Sequence, residues 1–290
     1  MSDTQALGNT NIIYMTTDCN IACDYCYQKE DRAKNPILKA TKKQIDDFLY
    51  NLVQIEPNIT STVVVFGGEP FLEADNIFYM YDKAEEITEE TGKTYSFCTD
   101  TNGIWFSKDS NLKRFINTVN NMRNIVSLEV SYDGSSNHRR VDKHGKSTTE
   151  IVKKVLKKLR DNNFRFHLRY TIHKETIKTF KQDIVKLSKF MSYNPENRIV
   201  ISLFDNEIED VTGKLTKYYT REMYPFMRAV FKKYKIPLCE FVCNDCNLCT
   251  FNKDRVNSYT VPGYDDIVKF EVKDAGDFDH FSKVKKENNE

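Results

Sequence analysis

The sequence predicts an α/β protein built on a parallel sheet, and three observations carry that prediction. Apolar runs of strand length alternate with longer amphipathic stretches six times along the chain, a pattern that calls for parallel strands joined by right-handed helical crossovers. The run Val63-Val64-Val65-Phe66 is continuously apolar, as buried parallel strands are. Most runs end on turn formers that carry chemistry, and parallel α/β folds keep their sites at the carboxyl ends of strands. Six units are too few to close an eight-stranded barrel.

In chain order, the first ten residues are polar and read as a lead-in. Ile12-Ile13-Tyr14-Met15 is the first strand. After a basic segment interrupted by Pro36, Thr41-Lys42-Lys43-Gln44 has capping-box form and opens a helix bearing Phe48, Leu49 and Leu52. Pro57 ends it. A second strand at 61–66 stops at Gly67-Gly68, and a helix over 74–90 closes at Gly92. The third strand, 95–101, ends at Asn102-Gly103, and Ser107 starts the next helix. A fourth strand at 125–132 breaks at Asp133-Gly134. Ser147-Thr148-Thr149-Glu150 has capping-box form and opens a helix over 151–160. Strands at 164–172 and 198–204, with helices at 175–191 and 215–234, complete the six units.

The 290 residues suffice for one sizeable core with an appendage. With 43 basic and 42 acidic side chains the net charge is +1, so no bulk field directs the chain to nucleic acid or membrane. Lysine pairs such as Lys153-Lys154 and Lys232-Lys233 read as solvated helix faces. No stretch approaches the ~20 apolar residues of a membrane span, and the start lacks the basic-then-apolar order of a signal peptide. A soluble, cytoplasmic protein is expected. Eight cysteines fall as Cys19, Cys23 and Cys26, then Cys98, then Cys239, Cys243, Cys246 and Cys249. Such clustering argues for metal in a reducing compartment rather than a disulfide scaffold.

The front cysteines are separated by three and two residues directly after the first strand. One short loop can bring such thiolates onto one face of a cubane, leaving one of four irons for an outside ligand. A structural zinc loop would want a fourth protein ligand, and no histidine lies in this segment. The pattern resembles the radical SAM superfamily, whose signature has an aromatic before the last cysteine, here Tyr25. The resemblance spans roughly 11–236 and implies a partial (β/α)6 barrel with a small Cys-rich C-terminal extension. It also implies a catalytic 4Fe-4S cluster on Cys19, Cys23 and Cys26, S-adenosyl-L-methionine chelated to the open iron, and oxygen sensitivity.

Later motifs fall in the family's order. Gly67-Gly68-Glu69-Pro70 resembles the segment that binds the cofactor's amino group; glycines allow close backbone approach, Pro70 fixes the exit and Glu69 offers an acceptor. Asp100-Thr101-Asn102-Gly103 resembles the strand-end Thr-Asn-Gly of members that act on peptides and proteins, although Asn and Gly are also turn formers. Cys98, Asp100 and Asn102 share parity, and Cys98 is a ligand, a hydrogen donor or, preferentially, packing. Ser131-Tyr132-Asp133-Gly134 resembles the Ser-x-Asp-Gly whose serine helps hold the cofactor carboxylate. Arg140 stands five residues before Gly145, as in that subgroup, but the segment is about two residues short and His138 misses its expected place. Arg169 offers bidentate geometry for a carboxylate or forms a surface salt bridge.

Cys239, Cys243, Cys246 and Cys249 occupy eleven residues, and a Cys-x2-Cys-x2-Cys run suits a second 4Fe-4S cluster, with tetrahedral zinc the alternative. This resembles the auxiliary-cluster extensions called SPASM or twitch, in abridged form. Residues 259–264 suggest a short hairpin, and the charged tail after His280 a loose end. The expected domains are a lead-in at 1–10, a core at 11–235 and an extension at 236–290. The resemblance implies reductive cleavage of S-adenosylmethionine and hydrogen abstraction from a peptide or protein side chain, with flavodoxin or ferredoxin as reductant. Alternatives are modification of a nucleotide or nucleic-acid base and, outside enzymes, a zinc-stabilised binding module.

Overall fold

Six strands stand side by side in chain order: β1 (Thr10–Thr16), β2 (Thr60–Gly67), β3 (Thr94–Thr101), β4 (Ile125–Ser131), β5 (Phe166–Ile172) and β6 (Arg198–Leu203). Each pairs parallel with the next. The computed structural model describes residues 10–26, 28–55, 59–173, 175–203, 222–240, 256–260 and 268–269. Crossovers carry α1 (Lys29–Lys34), α2 (Lys42–Ile55), α3 (Ala74–Thr91), α4 (Asp109–Val119), α5 (Thr149–Asp161) and α6 (Thr176–Met191), and α7 (Tyr224–Tyr234) follows β6. This is the predicted α/β partial barrel. Among the described residues no helix is long and apolar enough to cross a membrane.

Both edges of the six-stranded sheet are extended. A three-residue strand β7 (Leu238–Glu240) runs parallel to β6, and β8 (Val256–Thr260) runs parallel to β1. β9 (Val268–Lys269) pairs antiparallel with β8. Segments of the expected extension therefore continue the core sheet. The hairpin expected at 259–264 is partly outside the described residues, and the observed antiparallel pair is β8 with β9.

Alternation along the strands separates two faces. Ile13, Met15, Val63, Val65, Phe97, Leu128, Val130, Leu168 and Ile172 join one core with the helices. The intervening positions carry Cys98, Asp100, Glu129, Ser131 and Arg169, so the face turned from the helices is polar and charged in its middle.

Local signals explain most boundaries. The Thr41–Gln44 capping box forms: Thr41 N–H donates to Gln44 Oε1 at 3.0 Å, and Gln44 N–H to Thr41 Oγ1 at 3.2 Å. The second box does not. Thr148 caps α5 with no side-chain bond to the helix; its hydroxyl donates to the Arg140 carbonyl at 2.8 Å instead. A short 3-10 turn, Ile104–Ser107, precedes α4 where a helix starting at Ser107 was expected.

Candidate functional site

The carboxyl ends of β1 to β5 converge on the loop holding Cys19, Cys23 and Cys26. Its entrance is fixed by β2. Gly68 N–H donates to the Thr16 carbonyl at 2.9 Å and Glu69 N–H to the Asp18 carbonyl at 2.8 Å. A Cβ on Gly68 would lie 2.1 Å from the Asp18 oxygen, and one on Gly67, whose φ is +150°, 2.4 Å from the Thr16 oxygen. Glycine is thus required because two backbones touch. Pro70 then begins a 3-10 turn, Pro70–Glu73, whose Phe71 ring stacks on Trp105 at 5.0 Å and meets Phe106 edge-on at 4.6 Å. Further along, Ala22 N–H donates to the Val141 carbonyl at 2.7 Å.

Cys19 and Cys23 are 8% and 6% exposed and cluster with Ile21; Tyr25, Cys26 and Ile104 pack against them. Burial pushes the Cys19 thiol up to about 12 and raises Cys23, with Arg140 opposing the latter. Three polar groups face the sulfurs: Arg32 Nη2 lies 3.3 Å from Cys26 Sγ, Arg140 Nη1 3.9 Å from Cys23 Sγ and Asn102 Nδ2 3.9 Å from Cys19 Sγ. The donor set fits a polynuclear centre. Tetrahedral zinc, with Zn–S near 2.3 Å, holds its sulfurs roughly 3.8 Å apart. Among the described residues, the three ligand atoms found mutually within 4.8 Å belong to Cys98, Asp100 and Glu129, and the three loop sulfurs are not all within that distance of one another.

Glu69 is fully buried. Its Oε1 accepts from Thr101 Oγ1 at 2.8 Å and Phe71 N–H at 3.2 Å, and its Oε2 from Asn102 N–H at 2.7 Å. Burial raises its carboxyl to about 7 against those three donors. Its carboxyl group therefore knits the ends of β2 and β3 through bonds made inside the protein. Asn102 passes the connection on, donating Nδ2 to Asn20 Oδ1 at 2.7 Å.

Asp133 is a second buried hub. It accepts from the Tyr25 hydroxyl, from Arg140 Nε at 3.1 Å and from Thr171 N–H at 3.2 Å, and His173 Nε2 stands 3.9 Å away. The Tyr25 ring lies beside His173 and beneath Arg139 and Arg140. Arg139 Nε donates to both oxygens of Asp24, at 2.9 and 2.8 Å. Ser131 ends β4 half-buried, in register with Arg169.

Arg169 sits apart from these loops. It bonds Ser202 Oγ at 3.0 Å, Asp100 at 3.1 Å and Glu129. It is an internal counter-charge bridging β3 to β6, not a surface salt bridge. Cys98 lies buried beside this group, and burial raises its thiol.

The site therefore gathers Cys19, Cys23, Tyr25, Cys26, Gly67, Gly68, Glu69, Pro70, Asn102, Asp133 and Arg140 around one loop. Arg32 and His173 belong to the same networks and carried no motif, Thr101 stood in the Asp100–Gly103 motif without an assigned role, and Glu129, also without a motif, belongs to the Arg169 group. Glu129 shares parity with Ser131, a readable signal; the others depend on which loops meet. The Cys239 backbone lies in β7, and Cys243, Cys246 and Cys249 lie outside the described residues.

A family profile described as the radical SAM superfamily matches residues 13–187. The chain belongs to the radical SAM superfamily. Among curated proteins it is similar to a serine-type anaerobic sulfatase-maturating enzyme of Klebsiella aerogenes, 24% identical over 162 residues, covering 54% of this chain and 38% of that protein. Among solved structures, native anSMEcpe with bound AdoMet aligns at TM-score 0.56 and 15% identity, over 67% of this chain and 52% of that one. SuiB of Streptococcus suis bound to S-adenosylmethionine aligns at 0.57 and 14%, over 81% and 50%. At those identities the structural likeness shows the fold. This radical SAM chain spans half or less of the length of these relatives, apart from 52% of anSMEcpe.

Proposed function

We propose that this chain is an enzyme in which Cys19, Cys23 and Cys26 hold a 4Fe-4S cluster beside a bound S-adenosylmethionine. When bound, the pair would supply one-electron reductive cleavage of the sulfonium to methionine and a 5′-deoxyadenosyl radical able to take a hydrogen atom from substrate. The observation that carries this reading is the convergence of three thiols, separated by three and two residues, on one loop that the ends of β2 and β3 hold in place.

The chain's residues divide the remaining work. The Gly67–Pro70 backbone presents polar groups to the cofactor's amino end, while Glu69 and Asn102 hold that backbone against the cysteine loop. We assign Ser131 and Arg140 to the carboxylate end, with Asp133 orienting Arg140 and Tyr25 from behind. Buried Ile21 and half-buried Ile104 line the loop with apolar surface that would keep water from the reacting centre. Arg169, spent on Asp100 and Glu129, shapes the sheet face that substrate would meet. The cofactor carries the difficult step, and the protein orients it.

A peptide or protein side chain is the substrate class we favour, supported by sequence likeness to the sulfatase-maturating enzyme. A second reading, a nucleotide or nucleic-acid base, draws on spore photoproduct lyase with a bound dinucleoside spore photoproduct, which aligns at TM-score 0.51 over 75% of that chain. Cys239, Cys243, Cys246 and Cys249 would bind an auxiliary cluster, and a flavodoxin or ferredoxin would deliver electrons. Anaerobic reconstitution with iron and sulfide tests the reading. It predicts broad visible absorbance and about four irons lost with the front cysteines; tight zinc at both cysteine groups would refute it.

A further inference from the structure

We propose that Arg32 sets how readily the cluster on Cys19, Cys23 and Cys26 accepts an electron. This rests on the reading that those cysteines hold such a cluster. Helix α1 places the side chain. It starts where Lys29 N–H donates to the Cys26 carbonyl at 3.1 Å. One turn on, Arg32 N–H donates to the Gln28 carbonyl at 3.0 Å and Nη1 to Gln28 Oε1 at 3.3 Å. Gln28 is itself buried. So braced, the guanidinium folds back along its own helix, with Nη2 3.3 Å from Cys26 Sγ.

Its counter-charge distinguishes it from its neighbours. Arg139 is paired with Asp24, Arg140 with Asp133, and Arg169 with Asp100 and Glu129. Among the described residues no carboxylate lies within ion-pair distance of Arg32. A paired guanidinium shows its surroundings little more than a dipole, whereas an unpaired one shows a full charge. Three thiolates on a 4Fe-4S core carry net negative charge, and reduction adds one more. A fixed cation at hydrogen-bond distance from a ligand sulfur stabilises the reduced form more than the oxidised one, and a donor to sulfur acts in the same direction. Arg32 is half-buried, where salt screens less than at the surface.

Two variants separate charge from shape. Arg32→Gln keeps a donor and removes the charge; Arg32→Lys keeps the charge and loses the planar fork. Wild type and both variants are reconstituted anaerobically, iron and sulfide are counted per chain, and cluster reduction is followed by electron paramagnetic resonance in a redox titration without S-adenosylmethionine. Arg32→Gln is expected to load iron as wild type does and to show a more negative midpoint. The shift corresponds to at least a tenfold fall in reduced cluster at fixed potential, about 59 mV for one electron. Arg32→Lys should lie nearer wild type. A midpoint in Arg32→Gln that stays put or moves positive overturns the proposal. Loss of the cluster from Arg32→Gln, whatever the lysine variant does, overturns it too by making Arg32 a builder of the loop. Wild type that takes up no iron overturns both this proposal and the reading beneath it.

Discussion

Tyr25 donates its hydroxyl to the carboxylate of Asp133, 108 positions away, so the aromatic of the cysteine signature fastens the loop to the end of β4. The same carboxylate accepts from Arg140 and from the backbone of β5 at Thr171. One buried anion thus orients three partners.

Replacing Asp133 leaves Arg140 buried without its counter-charge. Breaking a buried pair from one side costs about 3–5 kcal/mol. Asp133→Asn should lower the denaturation midpoint accordingly, and Tyr25→Phe should lower it less, since it removes one neutral donor. Equal, small effects from both in urea unfolding would show that Asp133 is not the hub.

Gly68→Ala asks for a methyl 2.1 Å from a backbone oxygen, which no rotamer can relieve. The cysteine loop must shift, and iron uptake on reconstitution should fall while far-ultraviolet circular dichroism stays near wild type. Full iron loading of Gly68→Ala would show that close approach of the two backbones does not set the loop.

Phe71 anchors the turn after Glu69 in an aromatic group with Trp105, Phe106 and Phe115 at 4.6–5.8 Å. Phe71→Ala should destabilise the fold by about 3–5 kcal/mol. Chemical denaturation measures it, and a loss under 1 kcal/mol would be too small for a buried ring in this position (about the scale of a single methylene).

His167, buried on the charged sheet face, has its pKa lowered to about 3 by burial and by Arg198 and Arg165. Unfolded, it binds a proton near pH 6.5. The stability it contributes is therefore present above about pH 6.5 and lost as pH falls toward 3, by up to about 1.4 kcal/mol per unit. His167→Gln should flatten the stability curve between pH 6.5 and 4. An unchanged slope in the variant would count against a neutral buried imidazole.

The six units, the turn residues that end them and the cysteine loop were legible because each is local: an apolar run, a glycine pair, a fixed spacing. Thr41–Gln44 formed its box because nothing competed for Thr41. Ser147–Glu150 did not, because α5 is capped one residue later, at Thr148, whose hydroxyl goes to the Arg140 carbonyl, a partner no local pattern names. Likewise Arg169 meets Asp100 across 69 positions, and Glu69 turns inward because Thr101 and the Asn102 backbone meet it there. Charge pairing across strands follows from register, which the side-chain sequence of one strand cannot supply.

The most direct measurement is 5′-deoxyadenosine released per chain by anaerobically reconstituted protein given S-adenosylmethionine and a strong reductant, compared across wild type, Cys23→Ala and Cys246→Ala. The account predicts product from wild type, none from Cys23→Ala and a reduced yield from Cys246→Ala. Iron-replete wild type that forms none, or equal loss from both variants, would contradict it.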